Sequence, residues 1–283
     1  MTRRRLDAEL VRRRRFSSRE AAQSAIAEGR VFVAGALATK PATQVDEAAA
    51  IEIREGTEPE YVSRGAYKLI GALDAFALDV QGRSALDAGA STGGFTQVLL
   101  ERGVSRVIAV DVGYGQLAWP VRSRDDVVVM ERTNVRHLTA GDLPYAPDLI
   151  VADLSFISLT VVLPALTSVA TPGADLVLMV KPQFEVGKDR VGHGVVTDPT
   201  LRAEAVRTVA RAGQELSLVI RGVAASPLPG PKGNVEYFLW MTKSRSDAGV
   251  STGDDGQVER VAGVLDGAEL DAAIATAVQE GPR

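Results

Sequence analysis

Residues 87–97, with the sequence DAGASTGGFTQ, constrain the fold of this chain more than any other segment. An apolar pair precedes them, and a helical pattern that is apolar at residues 98–100 follows. A strand, a tight glycine turn and a helix N-terminus in this order are typical of the edge where an open α/β sheet binds its cofactor. The first amide groups of such a helix have no partner inside the helix, so a bound ligand can accept their hydrogen bonds.

The acidic residue at the start of this segment indicates the charge of the ligand. Asp87 would repel the pyrophosphate of a dinucleotide, but it suits a ligand with a positive centre, such as the ammonium and sulfonium groups of S-adenosylmethionine. The dinucleotide pattern G-x-G-x-x-G is also absent, which makes NAD the weaker alternative. We therefore predict an S-adenosylmethionine site with these cofactor-binding residues: Asp87, Gly89, Ser91, Thr92, Gly93, Gly94 and Phe95.

A second strand pattern favours a binding site over a simple turn. Residues 107–110 are apolar and are followed by Asp111. A carboxylate at this position can accept hydrogen bonds from both hydroxyls of a ribose. A glycine-rich turn alone can be only a turn, but two strand-and-acid units in succession indicate a cofactor that contains a nucleoside.

The following segments alternate between strand and helix patterns. We predict strands at 84–89, 106–111, 127–131, 148–153, 174–181, 217–223 and 235–242, and helices at 94–102, 115–122, 159–170 and 198–213. This alternation predicts a mainly parallel, doubly wound α/β sheet. The last strand follows another strand through the turn PLPGPKGN, so we expect it to pair antiparallel at or near an edge. Seven strands that end in such a hairpin are typical of a class I, Rossmann-like methyltransferase domain.

Composition divides the chain into four parts. We assign residues 1–56 to a small α+β module, 57–62 to an interdomain linker and 63–243 to the methyltransferase domain. The remaining residues, 244–283, form a tail. Its first part, 244–256, is rich in Ser, Gly and Asp and is expected to be flexible, whereas 257–279 has helical periodicity.

The composition also argues against several kinds of chemistry. The chain has no cysteine, and its two histidines are His137 and His193, so thiolate zinc sites, cysteine nucleophiles and a histidine-built metal site are disfavoured. No window reaches eighteen apolar residues, and no hydrophobic run follows the arginine-rich N-terminus. We expect a cytoplasmic monomer with no membrane span, no secretory signal and no metal.

The N-terminal module is strongly basic. Residues 1–30 contain nine arginines and four acidic residues, a difference of +5. A run of charges is often only a solvated helix face, but here the arginines cluster at one end of two predicted helices, which favours a phosphate-binding surface. The candidate RNA-binding residues of the module are Arg4, Arg5, Arg14, Arg15, Arg19 and Lys40.

Three stretches of this module, RLDAELV, SSREAAQSAIAEGRVFVAG and KPATQV, are similar to the small RNA-binding module named after ribosomal protein S-four. The resemblance covers residues 3–53 and implies that the module binds structured RNA. It departs from the common pattern at Ala34, where an Asn usually precedes the glycine of the turn.

Four charged residues stand in unusual surroundings in the larger domain. Lys181 follows five consecutive apolar residues, and Glu236 interrupts the apolar run VEYFLW. Asp153 ends another strand, and the carboxyl ends of parallel strands meet at one crevice. Lys68, four residues after Arg64, falls near the N-terminus of a predicted helix, where a positive charge is unfavourable. These residues indicate either a reactive site or a structural ion pair between Lys181 and Asp153.

The motifs SRGAYKL, VADLSF, LVLMVKPQFE and NVEYF hold Lys68, Asp153, Lys181 and Glu236 at the positions of the catalytic tetrad of FtsJ-related ribose 2′-O-methyltransferases. Residues 3–243 as a whole resemble the TlyA family of ribosomal RNA 2′-O-methyltransferases, historically called hemolysins. The resemblance implies S-adenosylmethionine-dependent methylation of cytidine in the ribosomal RNA of the small or large subunit, with ribosomal subunits as partners. It also implies that Asn134 lies near the adenine of the cofactor and Phe156 near the target nucleotide. We add Asp153, which can face the positive methyl donor, to the cofactor-binding candidates, and Arg64 and Arg136 to the RNA-binding candidates.

Other activities fit the residues less well. Methylation at C5 of a pyrimidine ordinarily needs a cysteine, which is absent. Exocyclic amine methylation usually shows a Pro-Pro-Tyr or Pro-Pro-Phe motif after the fourth strand, where this chain has Leu154, Ser155 and Phe156. A small-molecule O-methyltransferase would leave the basic module unexplained. A second class of hypothesis is a protein without catalysis, which binds RNA only or acts on membranes.

Overall fold

The computed structural model describes residues 3–16, 18–27, 29–54, 61–192, 194–245 and 263–282. The chain divides into two compact units, Met1–Glu60 and Tyr61–Arg283. Most of the predicted linker and most of the segment predicted to be flexible, together with His193, lie outside the described residues.

The first unit packs two helices against short antiparallel strands. In chain order the elements are β1 (Arg3–Arg5), α1 (Leu6–Arg12), α2 (Arg19–Ala27), β2 (Val31–Val33), β3 (Ala36–Leu37), β4 (Gln44–Asp46) and β5 (Ile51–Ile53). Strand β1 pairs with β4, and β2 lies between β3 and β5. Leu6, Leu10, Ala22 and Ile26 from the two helices form the buried core with Val31.

The turn between β2 and β3 explains why the departure at Ala34 is tolerated. Ala34 and Gly35 have φ values of +49° and +81°. A two-residue hairpin turn of this kind needs positive φ at both central residues, which Asn and Gly adopt most easily. Ala34 is therefore in a conformation that costs an alanine some free energy without changing the fold of the hairpin.

The second unit begins with a helix and then alternates strands and helices. Its helices are α3 (Gly65–Phe76), α4 (Gly94–Glu101), α5 (Trp119–Arg122), α6 (Leu159–Val169), α7 (Pro182–Glu185), α8 (Pro199–Glu215) and α9 (Gly267–Glu280). Its strands are β6 (Ser84–Ala88), β7 (Arg106–Val110), β8 (Val127–Met130), β9 (Leu149–Ala152), β10 (Asp175–Val180), β11 (Leu218–Ala225) and β12 (Tyr237–Lys243).

Helix α5 begins later than the predicted 115–122. Gly115 has a φ of +68°, and residues 111–118 form a loop whose end is held by a hydrogen bond from Ala118 N to Thr92 O. Pro120 stands in the first turn of the helix, where its missing amide hydrogen costs nothing.

The seven strands form one sheet in the order β11-β12-β10-β9-β6-β7-β8. Strands β8, β7, β6, β9 and β10 are parallel, and β12 is antiparallel to both β10 and β11. The predicted class I methyltransferase fold, with an antiparallel strand near one edge, is confirmed. The chain turns back at β6, since β7 and β8 extend one way and β9 and β10 the other. This reversal creates the crevice in which α/β sheets bind ligands.

Both faces of the sheet are covered. Alternate residues along each central strand point to opposite faces, so Leu86 and Ile108 contribute to one core and Ala85 and Val107 to the other. Helices α3 and α4 cover one face, and α6, α8 and α9 cover the other. All four residues of β9 are buried, which explains why the strand is apolar throughout.

The C-terminal helix α9 belongs to the core of this unit. It packs on α8 and β11 and buries Leu270, Ile274 and Ala277. The sequence indicated a helix here but no role for it. The structure assigns that role, because α9 closes the apolar face formed by β11 and α8.

Candidate active site

The glycine turn between β6 and α4 is packed tightly on its neighbours. Gly89 and Gly93 have φ values of +85° and +98°. A Cβ atom on Gly89 would lie 2.8 Å from the carbonyl oxygen of Asp153, and one on Gly94 would overlap with Ser63 Oγ. Larger residues cannot occupy these positions, so the turn keeps its backbone at the wall of the crevice.

Asp87 lies behind the turn and does not line the crevice. Its side chain is fully buried, and Oδ2 accepts a 2.7 Å hydrogen bond from Thr96 Oγ1. Burial, and secondarily the charges of Asp153 and Asp111, raise the pKa of Asp87 to about 7. Its Oδ1 atom has no hydrogen-bond partner within the described residues. Asp87 is therefore held behind the turn by its hydrogen bond with Thr96.

A cavity of about 540 Å³ opens beside the turn and carries the second predicted acid. Asp111 accepts hydrogen bonds from Ser91 N at 2.8 Å and from Gly113 N at 2.7 Å, so its carboxylate is fixed at the wall. The side chain of Asn134 caps a short 3₁₀ helix by accepting from Arg136 N. Predicted cofactor residues that line this cavity are Gly89, Ser91, Asp111, Asn134 and Asp153.

A second cavity, of about 480 Å³, is also lined by residues of the turn. Its wall holds Lys68 and Lys181 together with predicted cofactor residues Thr92, Gly94 and Phe95. The two cavities share Gly89, Ser91, Asp153 and Ser155 on their walls. Gly93 lies outside both, where a Cβ atom would contact Leu117 and Val121. Asp153 therefore stands where two ligands, one in each cavity, can meet.

The four predicted tetrad residues form two ion pairs at this edge of the sheet. Lys181 Nζ lies 2.6 Å from Asp153 Oδ1 and donates a 2.8 Å hydrogen bond to Ser155 Oγ. Lys68 Nζ donates a 2.5 Å hydrogen bond to Glu236 Oε2. The side chains of both lysines are about nine-tenths buried. A buried charge of this kind requires its partner, because desolvation alone would make it very unfavourable.

The topology explains why residues so far apart in sequence meet here. Asp153 directly follows β9, and Lys181 directly follows β10. Glu236 precedes β12, which runs antiparallel to β10 with Tyr237 opposite Val180. The start of β12 therefore lies beside the end of β10. Lys68 reaches the same edge from the first turn of α3.

Comparison with known proteins agrees with this geometry. The model of the FtsJ-like methyltransferase family matches residues 61–243, and that of the S4 domain matches residues 4–51. A Mycobacterium tuberculosis protein named 16S/23S rRNA (cytidine-2′-O)-methyltransferase TlyA is 57% identical over 248 residues, which are 87% of this chain and 92% of that protein. This chain belongs to the TlyA family.

Two further relatives are a second protein named TlyA and a protein named a hemolysin. A Campylobacter jejuni protein named 23S rRNA (cytidine-2′-O)-methyltransferase TlyA is 35% identical over 65% of this chain and 72% of its own length. A solved structure from Streptococcus thermophilus that carries the hemolysin name is 33% identical, with a TM-score of 0.72 over 99% of this chain and 97% of that one. The hemolysin name thus occurs on members of the TlyA fold.

The site of this TlyA family member also contains residues that the sequence analysis did not single out. Ser155 accepts from Lys181, and Gly230 packs against Glu236, where a Cβ atom would collide with Oε1. Gly230 belongs to the stretch PLPGPKGN, which the sequence analysis interpreted only as a turn. The regular spacing of glycine and proline there could have indicated a backbone that must pass close to another group.

The residues of this chain that are predicted to contact RNA are exposed. Arg64 lines the second cavity, and Arg136 lies beside Asn134. Phe156 is 91% exposed, has a φ of +64° and contacts the ring of Phe184 with centroids 5.3 Å apart. In the first unit, the exposed candidates are Arg4, Arg5, Arg14, Arg15, Arg19 and Lys40.

Neither a metal site nor a membrane span is found within the described residues. They contain no cluster of three or more His, Cys, Asp or Glu side chains able to hold a metal ion. No helix among them is both long enough and apolar enough to cross a bilayer.

Proposed function

We propose that this chain transfers a methyl group from S-adenosylmethionine to the 2′ oxygen of cytidine in ribosomal RNA. The observation that carries the proposal is the two buried ion pairs, Lys68–Glu236 and Lys181–Asp153. Both lysines line the second cavity, and Asp153 lines both cavities. The names of the Mycobacterium tuberculosis and Campylobacter jejuni relatives supply the nucleotide and the class of RNA.

The cavity beside Asp111 fits S-adenosylmethionine. Its fixed carboxylate suits the ribose hydroxyls, Asn134 is available to the adenine, and Asp153 offers a negative charge to the positive end of the ligand. When bound, S-adenosylmethionine supplies an electrophilic methyl group whose bond to sulfur breaks as the bond to the ribose oxygen forms. A cavity of about 540 Å³ lies in the usual range for cofactor sites.

Lys181 is the proposed general base. A ribose hydroxyl is a weak nucleophile, so its proton must leave as the oxygen attacks. Nζ of Lys181 would accept that proton, and Asp153 and Ser155 hold the amine in position.

Lys68 and Glu236 are the proposed positioning pair. Lys68 faces the cavity that would hold the acceptor nucleotide, so its ammonium can contact the ribose oxygen or the adjoining phosphate. Glu236 lies behind it, fully buried, and fixes the direction of the ammonium through the 2.5 Å hydrogen bond. Glu236 thus pairs with Lys68, whereas Lys181 pairs with Asp153.

The first unit is the proposed RNA-binding module, and ribosomal subunits in the cytoplasm are the proposed partners. Its exposed arginines offer the positive charge that a phosphate backbone requires. Arg64, which lines the cavity assigned to the acceptor nucleotide, and the exposed Arg136 and Phe156 would then contact the RNA.

Two variants of Lys181 test the reaction and the base together. Purified ribosomal subunits are incubated with radiolabelled S-adenosylmethionine, and nuclease mapping then identifies the labelled nucleoside. We expect wild type to label a cytidine ribose and Lys181→Ala to lose about a hundredfold or more of the rate, the usual contribution of a general base. Lys181→Arg keeps a positive partner for Asp153 but cannot accept a proton, so it should be equally inactive.

Calorimetric binding of S-adenosylmethionine to each variant provides the control for folding. An active Lys181→Arg enzyme would mean that Lys181 is only a structural ion-pair partner. Label in a base, or no label although the cofactor binds, would contradict ribose methylation. Lysis of red cells by Lys181→Ala as strong as by wild type would support an activity without catalysis.

A further inference from the structure

A short segment with several exposed apolar side chains includes Val112, which lines the cavity assigned to the cofactor. Among the described residues, seven large hydrophobic side chains are exposed, and three of them, Val112, Tyr114 and Trp119, fall within eight residues. Tyr114 is 68% exposed and Trp119 is 75% exposed. Single exposed apolar residues are common, whereas three within one short segment are unusual and indicate a contact surface.

A positive charge is stacked on the same surface. The guanidinium carbon of Arg132 lies 4.2 Å from the centroid of the Tyr114 ring. Arg132 makes no salt bridge within the part of the chain that the structure describes, so its charge is available to a ligand. Its φ of +54° is uncommon for a non-glycine residue, and such conformations are often retained at binding sites. We call Val112, Tyr114, Trp119 and Arg132 the aromatic rim.

Hydrogen bonds hold the aromatic rim in one arrangement. The carboxylate of Glu131 accepts from Gly115 N at 2.8 Å and from the guanidinium of Arg122 at 2.6 Å. Arg132 N donates to Gly113 O at 3.0 Å. The Tyr114 loop, the helix that begins with Trp119 and the end of β8 are therefore tied together. A surface fixed in this way loses little conformational freedom when it binds.

We propose that the aromatic rim binds unpaired nucleotides of the RNA substrate by stacking. Every base has a flat face that stacks on aromatic rings and on guanidinium planes, and an adjacent cation attracts the phosphates. Val112 also lines the cofactor cavity, so a strand that crosses the rim passes beside that cavity. This inference rests on the proposed function, because it concerns how that same site holds its RNA.

Kinetics on purified ribosomal subunits test the proposal. We expect a Tyr114→Ala, Trp119→Ala double variant to raise KM for the subunits about tenfold or more, the usual size of one lost stacking contact. The value of kcat and the affinity for S-adenosylmethionine should stay within about twofold of wild type. A Tyr114→Phe, Trp119→Phe variant should behave as wild type, because it keeps both rings. Val161→Ala, at another exposed apolar side chain, is the control.

Tryptophan fluorescence tests the contact without relying on methyl transfer. The chain contains two tryptophans, Trp119 and Trp240, and the second packs against Phe76. Protein-free ribosomal RNA should quench the emission of wild type, and Trp119→Phe should lose most of that quenching. If wild type methylates no ribosomal RNA, the proposed function fails, and quenching at Trp119 still supports an RNA contact.

Three results would overturn the proposal. The first is an unchanged KM for the double alanine variant, and the second is quenching that persists in Trp119→Phe. The third is a raised KM on intact subunits together with unchanged binding of protein-free RNA. That last result would mean that the aromatic rim contacts a ribosomal protein.

Discussion

Asp87 is a residue at which the fold places a carboxyl group in an unfavourable environment. Burial raises its pKa to about 7, from an ordinary value of 3.8. Between these two values the folded chain holds a proton that the unfolded chain has released, so the free energy of unfolding falls as pH rises. The loss in free energy of unfolding caused by the ionised Asp87 is complete above pH 7 and absent below about pH 4.

Replacement of this carboxyl group should therefore alter the pH dependence of stability. From pH 5 to pH 8, Asp87 should lower the free energy of unfolding of wild type by roughly 3 kcal/mol, and Asp87→Asn should remove this loss. Urea unfolding across this pH range measures the difference. Asp189→Asn, at an exposed carboxylate, is the control and should change nothing. A parallel pH dependence in wild type and Asp87→Asn would contradict the assignment.

At the scale of elements, the connection between β11 and β12 determines how Glu236 is held. Gly230 lies directly against the Glu236 carboxylate, so an added methyl group must displace either that carboxylate or the chain around residue 230. We expect Gly230→Ala to lower kcat of methyl transfer about tenfold or more by misaligning Lys68, since small displacements near a reacting centre have large effects. Binding of S-adenosylmethionine should be unchanged, because the cofactor cavity does not include this connection.

Gly192→Ala is the matched substitution, since a Cβ atom there has no neighbour within 4 Å. Equal loss of kcat in the two variants would point to a general effect of removing a glycine.

At the scale of the whole molecule, the proposed RNA binding requires a local positive surface, because the net charge of the chain is −4. Arg14 and Arg15 are exposed, and neither takes part in a salt bridge described in the structure. The logarithm of the RNA association constant falls linearly with the logarithm of the salt concentration. If both arginines contact phosphates, replacing them by glutamine should make this slope shallower by about 1.4 to 1.8. Arg207→Gln, at an arginine paired with Asp271, should leave the slope unchanged. Binding of ribosomal RNA at several salt concentrations measures both.

Much of the architecture could be predicted because its signals are local. The strands around 84–88 and 106–110 are apolar runs that end in an acid, and each has the bounds expected within one or two residues. Loops were predicted less well. Helix α5 begins four residues after its predicted start, because the positive φ of Gly115 and the position of Pro120 delay it.

The sequence by itself determined the fold class and the glycine turn. It also identified four charged residues whose burial among apolar neighbours is unfavourable unless they are paired. Only the tertiary structure decided how they pair, with Lys68 on Glu236 and Lys181 on Asp153. It also decided that Asp87 lies behind the turn and that Gly230 contacts Glu236. Periodicity and propensity act over a few neighbouring residues, whereas pairing and burial depend on which strands the sheet brings side by side.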